Sequence, residues 1–176
     1  MEKNDEVLIT ELVRRHLKSV YNFVWRMVGD EEAAEDITQE TFIKVWKNLE
    51  KFQPNANFKT WLLAIARNTS IDWLRRRKEL VFSAWADENG EENFFENNLV
   101  DDAPLAGEIF DRIKDAQTLE KLLSKILPLD RTILSLHYGE ELTFDEIGEI
   151  LGRPLNTVKG RHRRALVVLR KLLKKS

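Results

Sequence analysis

Residues 143–173 read TFDEIGEILGRPLNTVKGRHRRALVVLRKLL, two apolar-periodic segments separated by a glycine. Thr143, followed three residues later by Glu146, forms a capping box, a sequence signature of a helix start. Gly152 supplies a tight turn, and Pro154 suits the first turn of a second helix. A short helix, a short turn and a longer helix make a helix-turn-helix. The segment therefore predicts this motif, with its second helix at about 154–174.

The second helix of the motif has two contrasting faces. One is an apolar stripe, and the other is polar and basic. Arginine and lysine bind phosphates or guanine edges in the major groove, which the N-terminal part of such a helix enters. We therefore predict DNA contacts there, with a solvated basic face as the alternative. The apolar stripe comprises Leu155, Val158, His162, Ala165, Leu166, Leu169 and Leu173; the predicted DNA contacts are Asn156, Thr157, Lys159, Gly160, Arg161, Arg163 and Arg164.

The charges are segregated along the chain, although the net charge is only −2. Residues 153–176 include nine Lys or Arg and no Asp or Glu, which fits a nucleic-acid partner. Residues 84–107 are acidic, have no steady period and contain Gly90 and Pro104. This composition predicts a flexible acidic linker over about 81–110.

The remaining sequence predicts further amphipathic helices on both sides of the linker. Before it they cover about 5–28, 31–51 and 57–78, and after it 108–127, 130–138 and 143–151. The third helix is expected to bury a stripe that consists of Phe58, Trp61, Leu62, Ile65, Ala66, Thr69 and Trp73. We predict an all-α protein with small helical domains at 1–80 and 111–176, the second carrying the helix-turn-helix.

Five segments resemble bacterial RNA polymerase sigma factors. LPLDRTILSLHY (127–138), LTFDEIGEILG (142–152) and NTVKGR (156–161) resemble the domain that reads the −35 promoter element. DITQETFIKVW (36–46) and FKTWLLAIARN (58–68) resemble the domain that binds core polymerase and melts the −10 element. The resemblance covers about 17–78 and 122–173, and the two-domain plan is that of the extracytoplasmic-function group. It implies an initiation factor that directs core polymerase to specific promoters.

The resemblance also implies roles for residues of the N-terminal half. Asp36, Gln39, Glu40 and Lys44 would dock on the clamp helices of the polymerase β′ subunit, while the C-terminal domain would meet the β flap. The alternatives for the acids of this helix are a solvated face or a carboxylate metal site. A metal site would need carboxylates from a second helix, and we find no matching cluster.

The third helix and the preceding loop resemble the reader of the −10 element, where a base is flipped out of the stack. Such a base needs an apolar wall and a hydrogen-bonding amide, which Asn68 would supply. Phe52 fits either the pocket or the core, and we assign Trp61 and Trp73 to the core. The pocket positions are Phe52, Asn55, Phe58, Ile65, Ala66 and Asn68, and the phosphate-holding positions are Arg67, Arg75, Arg76, Arg77 and Lys78.

Two features remain open within the resemblance. Gly160 replaces a serine common in the family, which removes a hydroxyl contact but allows close backbone approach to DNA at a helix cost of nearly 1 kcal/mol. The acidic linker would thread the polymerase toward the RNA path, either imitating RNA or acting as a tether. The family is usually restrained by an anti-sigma factor, which we expect as a partner.

No cofactor or metal is expected. The chain has no Cys, and neither His16 nor His137 has a metal-spaced partner. The N-terminus lacks a signal peptide and no apolar run reaches about 20 residues, so we expect a cytoplasmic protein that does not insert into membranes. One alternative is a helix-turn-helix regulator that acts without polymerase, but that function would not explain the N-terminal motifs at 36–46 and 58–68. An enzyme is disfavoured because the sequence shows no Gly-rich phosphate loop or nucleophile with its base.

Overall fold

The computed structural model describes residues 3–53, 55–77, 107, 109, 113 and 115–174. Within these residues there are seven α-helices and no strand, so the predicted all-α class is confirmed. The chain divides into two compact units. The first contains α1–α3 and the second contains α4–α7 apart from Glu149–Leu151. Most of the predicted linker, 81–110, lies outside the described residues.

The first unit is a bundle of α1 (Lys3–Val28), α2 (Glu31–Lys47) and α3 (Phe58–Arg77), each packed against the other two. Gly29, at a φ of 70°, ends α1, and the Asp30 carboxylate caps α2 by accepting the Ala33 amide hydrogen at 2.9 Å. The α2 helix ends four residues earlier than predicted, because the Asn48 side chain donates to the Lys44 carbonyl and a 3₁₀ turn, Leu49–Lys51, follows.

The buried face of α3 agrees with the predicted stripe at Leu62, Ala66 and Thr69 but not at its other positions. Thr69 and Ser70 are fully buried, and their hydroxyls donate to the carbonyls of Ile65 and Ala66 at 2.9 and 2.8 Å. These small side chains satisfy their polar atoms locally, so they occupy the core without a polar cost. The larger aromatic residues are thereby left half-buried at the edge of the bundle. The buried positions are Thr60, Leu62, Leu63, Ala66, Thr69, Ser70 and Leu74, whereas Phe58, Trp61, Ile65 and Trp73 are half-buried.

The second unit contains α4 (Ala116–Leu123), α5 (Pro128–Leu134), α6 (Phe144–Leu151) and α7 (Leu155–Leu173). A π-helical turn, Ser135–Gly139, extends α5. The single helix predicted over 108–127 is wrong, because Ile113 is not helical and the Asp115 carboxylate caps α4 through the Thr118 amide at 2.7 Å. The core of the unit comprises Ile109, Leu122, Ile126, Leu134, Ala165, Leu166 and Leu169.

The helix-turn-helix forms as the sequence predicts. Glu146 accepts from the Thr143 amide and hydroxyl, both at 2.8 Å, and the Thr143 hydroxyl accepts from the Glu146 amide at 3.3 Å. Gly152 takes a φ of 61° in the turn. Gly148 was missed by sequence reasoning: a Cβ there would lie 2.8 Å from the Arg153 carbonyl oxygen. Its signal was a glycine inside a short, otherwise regular helix.

Candidate nucleic-acid interface

The first turns of α7 present a polar surface. Asn156, Lys159 and Gly160 are exposed, and Thr157 and Arg163 are half-buried. A Cβ placed on Gly160 would meet no atom within 4 Å, so this glycine faces open space. The structure therefore brings five of the seven predicted contact residues onto or beside one surface of the helix.

Arg161 and Arg164 depart from their predicted outward orientation. Arg161 is 8% exposed, and its Nη1 lies 3.0 Å from Oδ1 of Asp130 in α5. Arg164 grips the same carboxylate with two bonds, Nε to Oδ2 at 3.0 Å and Nη2 to Oδ1 at 3.3 Å. The prediction was wrong because it did not take account of Asp130, a buried carboxylate on another helix that both guanidinium groups contact.

Burial controls the electrostatics of this cluster. Burial raises the pKa of Asp130, and the hydrogen bonds and charge of Arg164 oppose that shift. Burial, followed by the nearby charge of Arg164, lowers the pKa of Arg161 to about 10. The Arg161 guanidinium is therefore cationic at neutral pH, and it shares a single carboxylate with the Arg164 guanidinium.

His162 lies in an aromatic cluster under α7, as predicted for a histidine at the core edge. Its Nε2 lies 2.8 Å from the Tyr138 hydroxyl, and its ring contacts those of Phe144 and His137. Burial, and then the charge of His137, lowers the pKa of His162 to about 4. The imidazole is thus neutral near pH 7. Within the described residues, no group of three His, Asp or Glu side chains is arranged to hold a metal ion.

A cleft of about 440 Å³ opens between α2 and α3. It includes Ile65 and Asn68 from the predicted pocket and also Trp61, which sequence reasoning assigned to the core. The Trp61 ring packs against Phe52 and Phe58 with centroids 5.2 and 5.8 Å away. The two phenylalanines therefore help to fix the position of the Trp61 indole. The lining residues are Lys44, Asn48, Lys51, Trp61, Ile65, Asn68 and Thr69.

Several predicted −10 residues lie outside this lining. Ala66 is fully buried, so the prediction that it contacts a base is wrong. Asn55 is exposed but is not part of the cleft wall. Arg67 donates to the Asn68 amide oxygen at 3.2 Å, and the amide nitrogen can donate to a base. Asn48 and Lys51 line the cleft although sequence reasoning missed them.

The basic end of α3 is exposed but already engaged in ion pairs. Arg77 lies 3.1 Å from the Asp30 carboxylate and stacks over Trp73 at 4.8 Å. Arg76 lies 4.0 Å from Glu40. Arg75 is exposed, and Lys78 lies outside the described residues. A phosphate bound here would compete with these carboxylates for the arginine side chains.

The predicted polymerase-docking residues lie along α2. Asp36 and Gln39 are exposed, and Glu40 forms an ion pair with Lys44 at 2.9 Å. The Lys44 ammonium also donates to the Thr69 hydroxyl at 3.2 Å, which directs this side chain toward the cleft. Ile43 is 53% exposed, an apolar residue off the buried stripe that sequence reasoning did not single out.

Comparison with known proteins identifies the family. Residues 12–79 match the sequence model of Sigma-70 region 2, and residues 122–171 match that of Sigma-70, region 4. The ECF RNA polymerase sigma factor SigW of Bacillus subtilis is 34% identical over 175 residues, covering 99% of this chain and 93% of SigW. The chain belongs to the extracytoplasmic-function sigma factors. It is therefore a transcription initiation factor that directs RNA polymerase to promoters.

Other relatives agree with this sigma-factor assignment. YlaC of Bacillus subtilis is 30% identical, covering 96% of this chain and 93% of YlaC. The fold is shared with RpoE of Bartonella quintana, solved with the anti-sigma factor NepR, at a TM-score of 0.66 and 22% identity over 94% of this chain and 96% of RpoE. It is also shared with CnrH, solved with the cytosolic domain of CnrY, at a TM-score of 0.63 and 21% identity over 97% and 90% of the two chains. Within the described residues, no helix has the length and apolar character needed to cross a membrane.

Proposed function

We propose that this sigma factor captures a flipped base of the −10 element in the cleft between α2 and α3. The observation that carries the proposal is the cleft lining, in which an indole, an aliphatic side chain and an amide face one space. A base would stack on Trp61 and Ile65 while the Asn68 amide nitrogen donates to its edge. Lys44 and Lys51 supply positive charge for the neighbouring phosphates.

The −35 element would be read by the exposed start of α7. Asn156, Lys159 and Arg163 offer the amide, ammonium and guanidinium donors that base edges and phosphates accept. Gly160 leaves space for the duplex to approach the helix backbone closely. Core polymerase would dock on α2 through Asp36, Gln39 and the Glu40–Lys44 pair, with the β flap meeting the C-terminal domain.

The proposal also covers how this sigma factor is regulated and how its domains are organised. RpoE and CnrH were solved with NepR and CnrY, and we propose that an anti-sigma factor likewise restrains this chain. We further propose a cytoplasmic protein without enzymatic activity, built from domains at 1–80 and 111–176 with an acidic linker at 81–110. A regulator that acts without polymerase is less well supported, because residues 12–79 match Sigma-70 region 2.

The test is base capture in the reconstituted holoenzyme on a duplex promoter. Asn68→Ala should reduce permanganate reactivity of the transcription bubble several-fold, whereas binding to core polymerase should be unchanged. Gln53→Ala removes an exposed amide that does not line the cleft, and serves as the matched control. Circular dichroism must show native helicity in both variants. Equal reactivity of Asn68→Ala and wild type would remove the cleft from the melting mechanism.

A further inference from the structure

One buried carboxylate holds two arginines of the reading helix. Asp130, the third residue of α5, is 2% exposed and contacts the guanidinium groups of Arg161 and Arg164 at 3.0 Å each. Arg161 and Arg164 lie one helical turn apart on α7, in the same stretch as Lys159 and Arg163. These ion pairs therefore connect α5 directly to α7, the helix that we expect to bind DNA.

Stability alone is a weak explanation for this arrangement. Burying ions carries a desolvation cost that can exceed their mutual attraction, and well-packed apolar residues often serve a core equally well. The cluster also holds one negative charge against two positive charges. Burial, and then the like charge of Arg164, lowers the pKa of Arg161.

We propose that Asp130 is a positioning residue for promoter reading, which withdraws Arg161 and Arg164 from the duplex so that Lys159 and Arg163 face it. This inference rests on the proposed role of α7 at the −35 element. Non-specific affinity for DNA rises with each cation that reaches a phosphate, whereas discrimination comes from contacts to bases. By holding both guanidinium groups against α5, Asp130 limits non-specific affinity without reducing discrimination between sequences.

Removing the carboxylate should release Arg164 in preference to Arg161. The Arg164 side chain is 22% exposed and that of Arg161 only 9%, so Arg164 lies nearer the solvent edge. Without Asp130 the two cations repel each other, and Arg164 can swing outward to a phosphate. The expected result is a protein that binds DNA more tightly at low salt but distinguishes sequences less well.

The experiment compares full-length variants by fluorescence anisotropy on two duplexes. These are a sequence enriched by the wild-type chain from a pool randomised over seven base pairs, and its scrambled counterpart. Asp130→Asn should bind the scrambled duplex several-fold more tightly, steepen the log-log salt slope by about 0.9 for one added phosphate contact, and lower the matched-to-scrambled ratio. Adding Arg164→Gln to Asp130→Asn should restore the slope. Glu120→Gln removes the same charge from an exposed position and should match wild type.

A second comparison leaves Asp130 intact and so does not depend on folding of the Asp130→Asn variant. Arg164→Gln should leave the salt slope unchanged, whereas Lys159→Gln should reduce it by about 0.9. Equal slopes for Arg164→Gln and Lys159→Gln, or an Asp130→Asn variant that behaves like Glu120→Gln, would overturn the inference. If the wild-type chain enriches no sequence from the pool, the proposal that α7 reads bases is wrong. The salt slopes measured on the unselected pool would still test the role of Asp130.

Discussion

Gly148 packs against the turn that joins the two helices of the motif. A Cβ there would lie 2.8 Å from the Arg153 carbonyl oxygen, a backbone atom that cannot rotate away. Gly148→Ala should therefore lower the free energy of unfolding by about 1–3 kcal/mol, despite the better helix propensity of alanine. Urea denaturation measures the change. A variant as stable as wild type would show that the turn relaxes without cost.

Gly160 should respond to the same substitution in the opposite direction. Its Cβ would enter open space, so Gly160→Ala should raise the free energy of unfolding by up to about 1 kcal/mol through helix propensity alone. If the duplex approaches the backbone at this point, the same change should weaken binding to promoter DNA. A gain in stability with unchanged DNA affinity would place the duplex elsewhere on α7.

The folded-state pKa of His162, about 4, lies below its ordinary value of 6.5. Between these values the unfolded chain binds more protons than the folded one, so the second unit should lose stability as the pH falls from 6.5 toward 4. His162→Gln should make this loss shallower. Hydrogen exchange of peptides from α7 at pH 7 and pH 5, corrected for intrinsic rates, measures it. Because the neighbouring His137 and Tyr138 are present in both proteins, the difference between the two pH dependences reports on His162.

At the scale of elements, the residues of α2 that we expect to dock on polymerase differ in their exposure and in their ion pairing. Asp36 is exposed, whereas Glu40 is held by Lys44. Asp36→Lys should therefore weaken competition for core polymerase more than Glu40→Lys does. Glu50→Lys makes the same charge change at an exposed position beyond α2 and should compete like wild type. A pull-down titration in which Asp36→Lys and Glu50→Lys compete equally would refute docking on α2.

Most helix positions were predictable from sequence, except for the helix expected over 108–127, but the depth at which each helix face is buried was not. Caps and turns such as Thr143, Glu146 and Gly152 depend on neighbours within a few residues, so their pattern fixes the helix-turn-helix locally. The buried face of α3 depends instead on what α1 and α2 place against it. Trp61 was therefore assigned to the core, although one side of its ring lines the cleft.

At the scale of the whole molecule, long-range polar contacts were the main feature that sequence patterns missed. Asp130 and Arg161 are 31 residues apart, and nothing in helical periodicity pairs them. The two-domain plan and the family were accessible because each domain carries its own motifs. The candidate interface on α3 and α7 stays a prediction, and the orientations of Arg161, Arg164 and Ala66 could be found only from the folded chain.

The central claim is that this chain gives core RNA polymerase its promoter specificity through two separate elements. Run-off transcription on fragmented genomic DNA from the source organism, followed by mapping of RNA 5′ ends, tests it most directly. Core polymerase with the chain should start at a limited set of sites that share two motifs, near −10 and −35, at constant spacing. Start sites no different from those of core alone, or sites without a shared upstream motif, would contradict the account.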